Sequence, residues 1–343
     1  MSANSPAPRV SDLIRNLLDR GYTQATSAVV NALGRSVSSG IVAQRLNELE
    51  AEAGRLAEAG ERLDVNNPVV RALLADLEPR LRANGLLIDG AAGDLQNSGV
   101  NSAGQITRQL ALPGMSDEAL ARIGVQWNRP DPEAVNALVG YVDSDAWAAE
   151  LARYPELVIS TVRNQAVRGI VEGWSPLRTA REIRRMAEGV TRAQAETLMR
   201  TLQLQSYRTA AAVHQQANAG ILTEQIRIAA LDNRTCLACI GLHGTRLPIG
   251  ERVNDHHNGR CTSIAVVRGR PREVQTGEDW FNAQPEARRV QIAGRANFEA
   301  MQAGRVQLRD FAQTYDDPVF GEMIREASLK GILGDDAREF YGR

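Results

Sequence analysis

Gln225-Ile-Arg-Ile-Ala-Ala-Leu231, Arg234-Thr-Cys-Leu-Ala-Cys-Ile-Gly-Leu-His-Gly-Thr245 and His256-His-Asn-Gly-Arg-Cys261 are the stretches that decide how this chain is read. The first begins by alternating polar and apolar residues, the period of a strand. Thr245-Arg-Leu247 and Thr262-Ser-Ile-Ala-Val-Val267 predict further strands. The rest of the chain is patterned mostly as helix. The expected fold is therefore mainly α with a small antiparallel β-sheet, within about 225–267, that carries a Cys/His knuckle: an α+β arrangement.

All 3 cysteines and 3 of the 4 histidines lie between Arg234 and Cys261. Cys236 and Cys239 form a C-x-x-C pair, a spacing that lets two thiolates converge on one ion from a tight turn. His256 follows seventeen positions after Cys239, and Cys261 five after that. Three sulfurs and an imidazole suit a tetrahedral, structural Zn²⁺ with no open coordination position. His257 is an alternative to His256, and His243 lies close enough in sequence to compete. Reduced, metal-free cysteines are the rival reading. A thioredoxin-like redox pair is disfavoured, because this C-x-x-C does not open a helix inside a β-α-β unit. His214 reads as an ordinary polar side chain.

Working outward from the knuckle, Asp232, Arg234, Thr235, Cys236, Cys239, Leu242 and Gly244, then His256, Asn258, Arg260 and Cys261, carry a resemblance. The chain resembles the phage head morphogenesis proteins, the Mu gpF-like and SPP1 gp7-like minor capsid proteins. Gly259 stands where that family often has another cysteine, and His257 where it has proline. Downstream, Trp280-Phe281, Gln284-Pro-Glu286, Arg289, Gly294, Leu308, Asp310 and Phe311 are similar to the family's tail. Upstream, a long helix with Arg200, Tyr207 and Asn218 feeds the first strand. The likeness runs from about Thr191 to about Phe311 and is weak before Asp145. It implies a minor head protein that joins the head during assembly in the host cytoplasm and remains in the virion. It also implies the portal protein and the major capsid protein as partners, and an effect on packaging, retention or ejection of DNA.

The 343 residues leave room for two or three domains, and 43% hydrophobic residues suffice for a buried core. Aromatics are only 4%, which favours helices packed through Ala, Leu and Val. A net charge of −1 excludes a polycation built to coat DNA. Lys330 is the only lysine, so nearly all positive charge is arginine, whose planar fork suits carboxylates and phosphates. No apolar run reaches the ~20 residues of a membrane helix, and the start of the chain lacks a secretory signal.

The expected organisation is a disordered arm over 1–9, a helical region over 10–140, a helical core over 141–220, the sheet and knuckle over 221–270 and a helical tail over 271–343. Val10, Leu13, Ile14, Leu17 and Leu18 have helical spacing, as do apolar residues over 38–60. A third helix is expected from Pro68 to about Gly85. The Gly-, Asn- and Ser-rich stretch 89–104 reads as a loop or hinge. Ser175-Pro176 starts a helix that ends near Gly189. Thr191 with Gln194 reads as a capping box opening a second helix to about Gly220, ~42 Å long. In the tail, helices are expected over 285–301 and 318–329.

Three function classes compete. An enzyme lacks support: there is no phosphate-binding loop with its lysine, no H-E-x-x-H and no G-x-S-x-G, and Glu48, Glu50 and Glu52 read as a solvated helix face. No catalytic residue is therefore expected. A zinc-knuckle nucleic-acid-binding protein contacting packaged double-stranded DNA is the alternative, on Arg234, Arg246, Arg252, Arg260, Arg268, Arg270 and Arg272. A structural head protein, the third, is favoured.

Overall fold

The computed structural model describes residues 22–33, 35 and 39–341. The expected arm over 1–9 and the expected helix over Val10 to Leu18 lie outside these residues. Residues 22–33 are helical, followed by α1 (Gly40–Ala59), α2 (Pro68–Ala111), α3 (Asp117–Arg122), α4 (Pro132–Val139), α5 (Asp145–Val171) and α6 (Pro176–Ala217). Then come β1 (Leu222–Ile228), α7 (Leu237–Gly241), β2 (Arg246–Leu247) and β3 (Thr262–Val267). The tail holds α8 (Gly277–Asn282), α9 (Glu286–Ala293), α10 (Arg295–Gln302), a 3-10 turn (Leu308–Phe311), β4 (Ala312–Asp317), β5 (Gly321–Glu326), α11 (Leu329–Leu333) and a last 3-10 segment (Gly334–Phe340). The protein is mainly helical with small antiparallel sheets, the fold class the sequence predicts.

Two compact units are built from non-consecutive segments: residues 22–95 with 141–202, and 96–140 with 203–341. In the first, α1 buries Val42, Leu46, Leu49, Ala53 and Leu56, a stripe with steps of three and four. It stops at Gly60, whose positive φ of 70° allows the left-handed C-cap. Trp147 Nε1 donates to Asp89 Oδ1 at 3.0 Å in the same unit.

Four sequence expectations are corrected. First, 89–104 is not a loop but the continuous second half of α2. Ile88, Ala91, Ala92, Leu95, Val100, Ala103, Ile106 and Leu110 are buried at helical spacing, and this stripe outweighs the composition. Two of its glycines answer to packing. A Cβ on Gly99 would lie 2.5 Å from Gln203 O, and one on Gly104 would lie 2.8 Å from the His214 ring. Second, the helix expected to end near Gly189 continues, so that α6 is a single 42-residue helix. Thr191 does not cap. Its buried hydroxyl donates back to Ala187 O at 2.8 Å, and its carbonyl accepts from Tyr154 OH at 2.9 Å.

Third, 318–329 is not a helix. β4 and β5 pair antiparallel, with Thr314 opposite Ile324 and Tyr315 opposite Met323. Asp317 Oδ1 accepts the N–H groups of Val319 and Phe320 at 2.9 and 3.0 Å, and this turn reverses the chain across Pro318. A second, two-stranded sheet thus accompanies the expected one. Fourth, the helix expected over 285–301 is divided into α9 and α10 at Gly294, where φ is 76°.

In the second unit, β1 is central in the order β2-β1-β3, antiparallel to both neighbours. Tyr207 on α6 is fully buried, and its hydroxyl meets Thr262 Oγ1 of β3 at 2.9 Å. Asn218, just past α6, accepts from Asn128 N at 2.8 Å and donates to Asn128 O at 3.0 Å. Leu237 and Ile240 of α7 pack against Phe281, Phe298, Leu308, Phe311, Leu329 and Phe340. The tail is therefore the floor beneath the knuckle helix.

Candidate metal centre

The chain leaves β1 and turns at Asp232. Its Oδ1 accepts from Arg234 N at 2.9 Å and Thr235 Oγ1 at 3.1 Å, and both its oxygens receive Arg260 at 2.6 Å. That bidentate pairing holds the Asp232 carboxyl well below the usual carboxylate range. It ties the C-x-x-C turn to the loop that carries the remaining ligands.

Cys236 caps α7, its Sγ accepting the Cys239 N–H at 3.4 Å. The second loop closes as a tight turn, with Gly259 N donating to His256 O at 2.9 Å and Asn258 at a positive φ of 59°. Cys239 and Cys261 are buried and Cys236 is half-buried.

The ligand atoms of Cys236, Cys239 and His256 lie within 4.8 Å of one another, as do those of Cys239, Asp255 and Cys261. The four residues marked by the sequence thus fall into two overlapping triads that meet at Cys239. Bringing all four to one ion takes a side-chain shift of Cys261 or His256, since two ligands of a tetrahedral zinc sit about 3.6–3.8 Å apart. One pair already fits. His256 Nε2 lies 3.5 Å from Cys236 Sγ, and the sulfur–nitrogen separation in such a site is about 3.6 Å. The other nitrogen, Nδ1, is 2.8 Å from His257 O, so the tautomer with Nδ1–H leaves Nε2 free to bind a metal.

The competing histidines are engaged elsewhere. His257 Nε2 is 3.2 Å from Asp317 Oδ2. His243 Nδ1 accepts the Ala229 N–H at 2.9 Å, and burial lowers the pKa of this ring. His214 is buried on α6, where burial likewise lowers its pKa.

The electrostatics of the set favour separated charge. The hydrogen bond from Cys239 pulls the Cys236 thiol down to about 4, with His256 adding to the effect. The contact with Cys236 raises the His256 imidazole to about 9. Hydrogen bonding to Cys236 and Cys261, with burial, pushes Cys239 up, whereas the hydrogen bond with Cys239 draws Cys261 down against its burial. A soft, sulfur-rich donor set of this kind suits Zn²⁺ and offers little to hard cations.

Sequence reasoning missed Asp255 and the two arginines beside it. Asp255 Oδ1 accepts His256 N at 3.0 Å and lies 3.4 Å from Cys239 Sγ. Oδ2 accepts Cys261 N at 2.9 Å and Arg208 Nη2 at 2.8 Å. Burial alone would raise this carboxyl, but the guanidiniums of Arg208 and Arg227 outweigh it and hold the pKa below its ordinary value. Gly259 makes room for the arrangement, since a Cβ there would lie 2.1 Å from Asp255 Oδ2. The one available signal was an arginine between two isoleucines near the end of β1, Ile226-Arg227-Ile228.

Residues 160–273 match the family model described as Phage Mu protein F like protein. The match spans about a third of the chain and contains the whole knuckle. Over these residues the chain is similar to the Mu F-like phage proteins. No curated protein and no solved structure matches the chain. Among the described residues no helix is long and apolar enough to cross a membrane.

Proposed function

We propose that this chain is a minor head protein that associates with the portal and the inside of the capsid and influences packaging, retention or ejection of DNA. The observation that carries the reading is the Mu F-like match over 160–273, which takes in α6, the sheet and the knuckle together. Cys236, Cys239, His256 and Cys261 hold one structural Zn²⁺ in this reading, supported by the 3.5 Å sulfur–nitrogen separation and the shared position of Cys239. Zinc would cross-link the C-x-x-C turn to the 255–261 loop, and no catalytic role is assigned to it. The portal protein and the major capsid protein are the proposed partners.

The alternative, a knuckle that binds packaged DNA, draws less support. Four of the seven arginines near the knuckle are spent on the chain itself. Arg260 pairs with Asp232 and Arg246 with Glu224. Arg252 donates to the carbonyls of Phe320 and Glu322, and Arg272 to Leu110 O. Guanidiniums held this way are poorly placed to neutralise phosphates.

Two experiments test the proposal. Elemental analysis of the purified chain should give about one zinc per chain. Less than a tenth of that in a folded protein refutes the metal assignment. Co-expression with the portal protein, followed by pull-down, should recover a complex, and its absence refutes the portal assignment. A salt-sensitive shift of double-stranded DNA by the isolated chain would favour the alternative.

A further inference from the structure

Asp255 is completely buried, and it lies between Arg208 of α6, 2% exposed, and Arg227 of β1, 4% exposed. Its two oxygens grip the backbone N–H groups of His256 and Cys261, both candidate ligands. Arg208 grips the same loop from the other side, donating to Cys261 O at 3.0 Å and Gly259 O at 2.6 Å. Every acceptor direction of Asp255 is thus taken by the chain, which makes it a support of the ligand loop.

The charges do not close without the sulfurs. Two buried guanidiniums face one carboxylate. Arg208 Nη1 and Arg227 Nε have no hydrogen-bond partner, and Arg227 Nη2 has only the Asp255 carboxylate, 3.5 Å away. A buried cation with unmatched donors is strongly unfavourable unless negative charge lies beside it. Arg208 Nε donates to the carbonyl of Cys261, and Asp255 Oδ1, 3.5 Å from Arg227 Nη2, lies 3.4 Å from Cys239 Sγ, so both guanidiniums stand beside the sulfur cluster. A dication bound by three thiolates and a neutral imidazole is a monoanion. Together with one carboxylate and two guanidiniums, that set sums to zero.

We propose that Arg208 and Arg227, with Asp255 between them, are positioning residues of the zinc centre, which hold the 255–261 loop in place and supply the positive charge that a three-thiolate site needs in a water-free interior. The inference rests on the zinc reading above. It makes the arginine pair the feature that selects three thiolates and one imidazole over a set with fewer sulfurs.

The test uses the full chain and its variants Arg227→Met, Arg208→Met and Arg227→Lys. Zinc affinity is measured by competition with a chromophoric chelator, and thiolate-to-metal charge-transfer absorption is recorded after Co²⁺ loading. Each Met variant should lose about 10–100-fold in affinity, the range for outer partners of metal ligands, with weaker charge-transfer bands and unchanged far-UV circular dichroism. Arg227→Lys, which keeps the charge, should recover most of the loss. If Arg227→Met does not fold, Arg227→Gln, which keeps donors without the charge, takes its place. A wild-type chain that takes up no zinc overturns the metal reading and this inference together. A wild-type chain that binds zinc, with Met variants that bind as tightly and absorb as strongly, overturns this inference alone. A lysine variant as weak as the Met variant overturns the charge argument.

Discussion

Gly259→Ala is the sharpest test of how the ligand loop is held. The new methyl carbon would sit 2.1 Å from Asp255 Oδ2 and 2.2 Å from its Cγ. A carbon and an oxygen that are not bonded approach no closer than about 3.3 Å, so the carboxylate or the loop must yield by about 1.2 Å. A displacement of that size breaks the 2.8 Å contact with Arg208 and the 2.9 Å bond from Cys261 N. Removing one partner of a buried ion pair costs about 3–5 kcal/mol, because the other charge stays buried and uncompensated. At about 2–4 °C per kcal/mol for a unit of 150–250 residues, the melting temperature of the knuckle unit should fall by about 6–20 °C. Thermal denaturation of wild type and variant, each without and with added zinc, measures this. A fall of less than about 2 °C refutes the reasoning, since it would mean that the carboxylate leaves its arginines at little cost.

The glycines of α2 test the helical course of 89–104. Gly90→Ala meets nothing within 4 Å in an exposed turn and should stabilise by about 1 kcal/mol, whereas Gly99→Ala must push into Gln203 O at 2.5 Å and should destabilise; equal, near-zero shifts in chemical denaturation would contradict a helix there. At the knuckle, His256→Ala should weaken zinc binding by more than the ~10–100-fold of an outer partner, and His257→Ala should leave it nearly unchanged. Equal losses in chelator competition would mean that the assignment of the ligand is wrong.

What the sequence disclosed followed from how local each signal was. The change of period at Gln225 and the strand at Thr262 were legible, because alternation and β-branching act within a few residues. The spacing of Cys236, Cys239, His256 and Cys261 points to neighbours in space, and the structure brings them into two triads that share Cys239. The second half of α2 has the glycine and asparagine content of a loop, while its apolar stripe at Ile88, Leu95, Ala103 and Leu110 is what makes it helix. Thr191 resembles a cap in sequence because a hydroxyl can accept from the chain ahead or donate to the turn behind, and only the burial of the site decides. The β4–β5 hairpin hid behind Pro318, which opens helices and turns alike. Asp255 and Arg208 had no local signature, and Arg227 had only its place between Ile226 and Ile228. Their roles exist only once residues 47 and 28 positions from the carboxylate have been folded against it.

The floor beneath α7 has a consequence for how the protein is made. Leu237 and Ile240 emerge from the ribosome soon after the C-x-x-C turn begins, but the last of the side chains that cover them, Phe340, lies about a hundred residues later. At about 5–20 residues per second, translation leaves that interval open for about 5–20 s. During it the thiols are accessible to metal and oxidant alike, and the apolar underside of α7 is uncovered. If the proposed zinc is bound, its capture is therefore best served before translation is complete. A truncation just upstream of Phe311 strips Phe311, Leu329 and Phe340 from the floor of α7, and the expected outcome is an insoluble product.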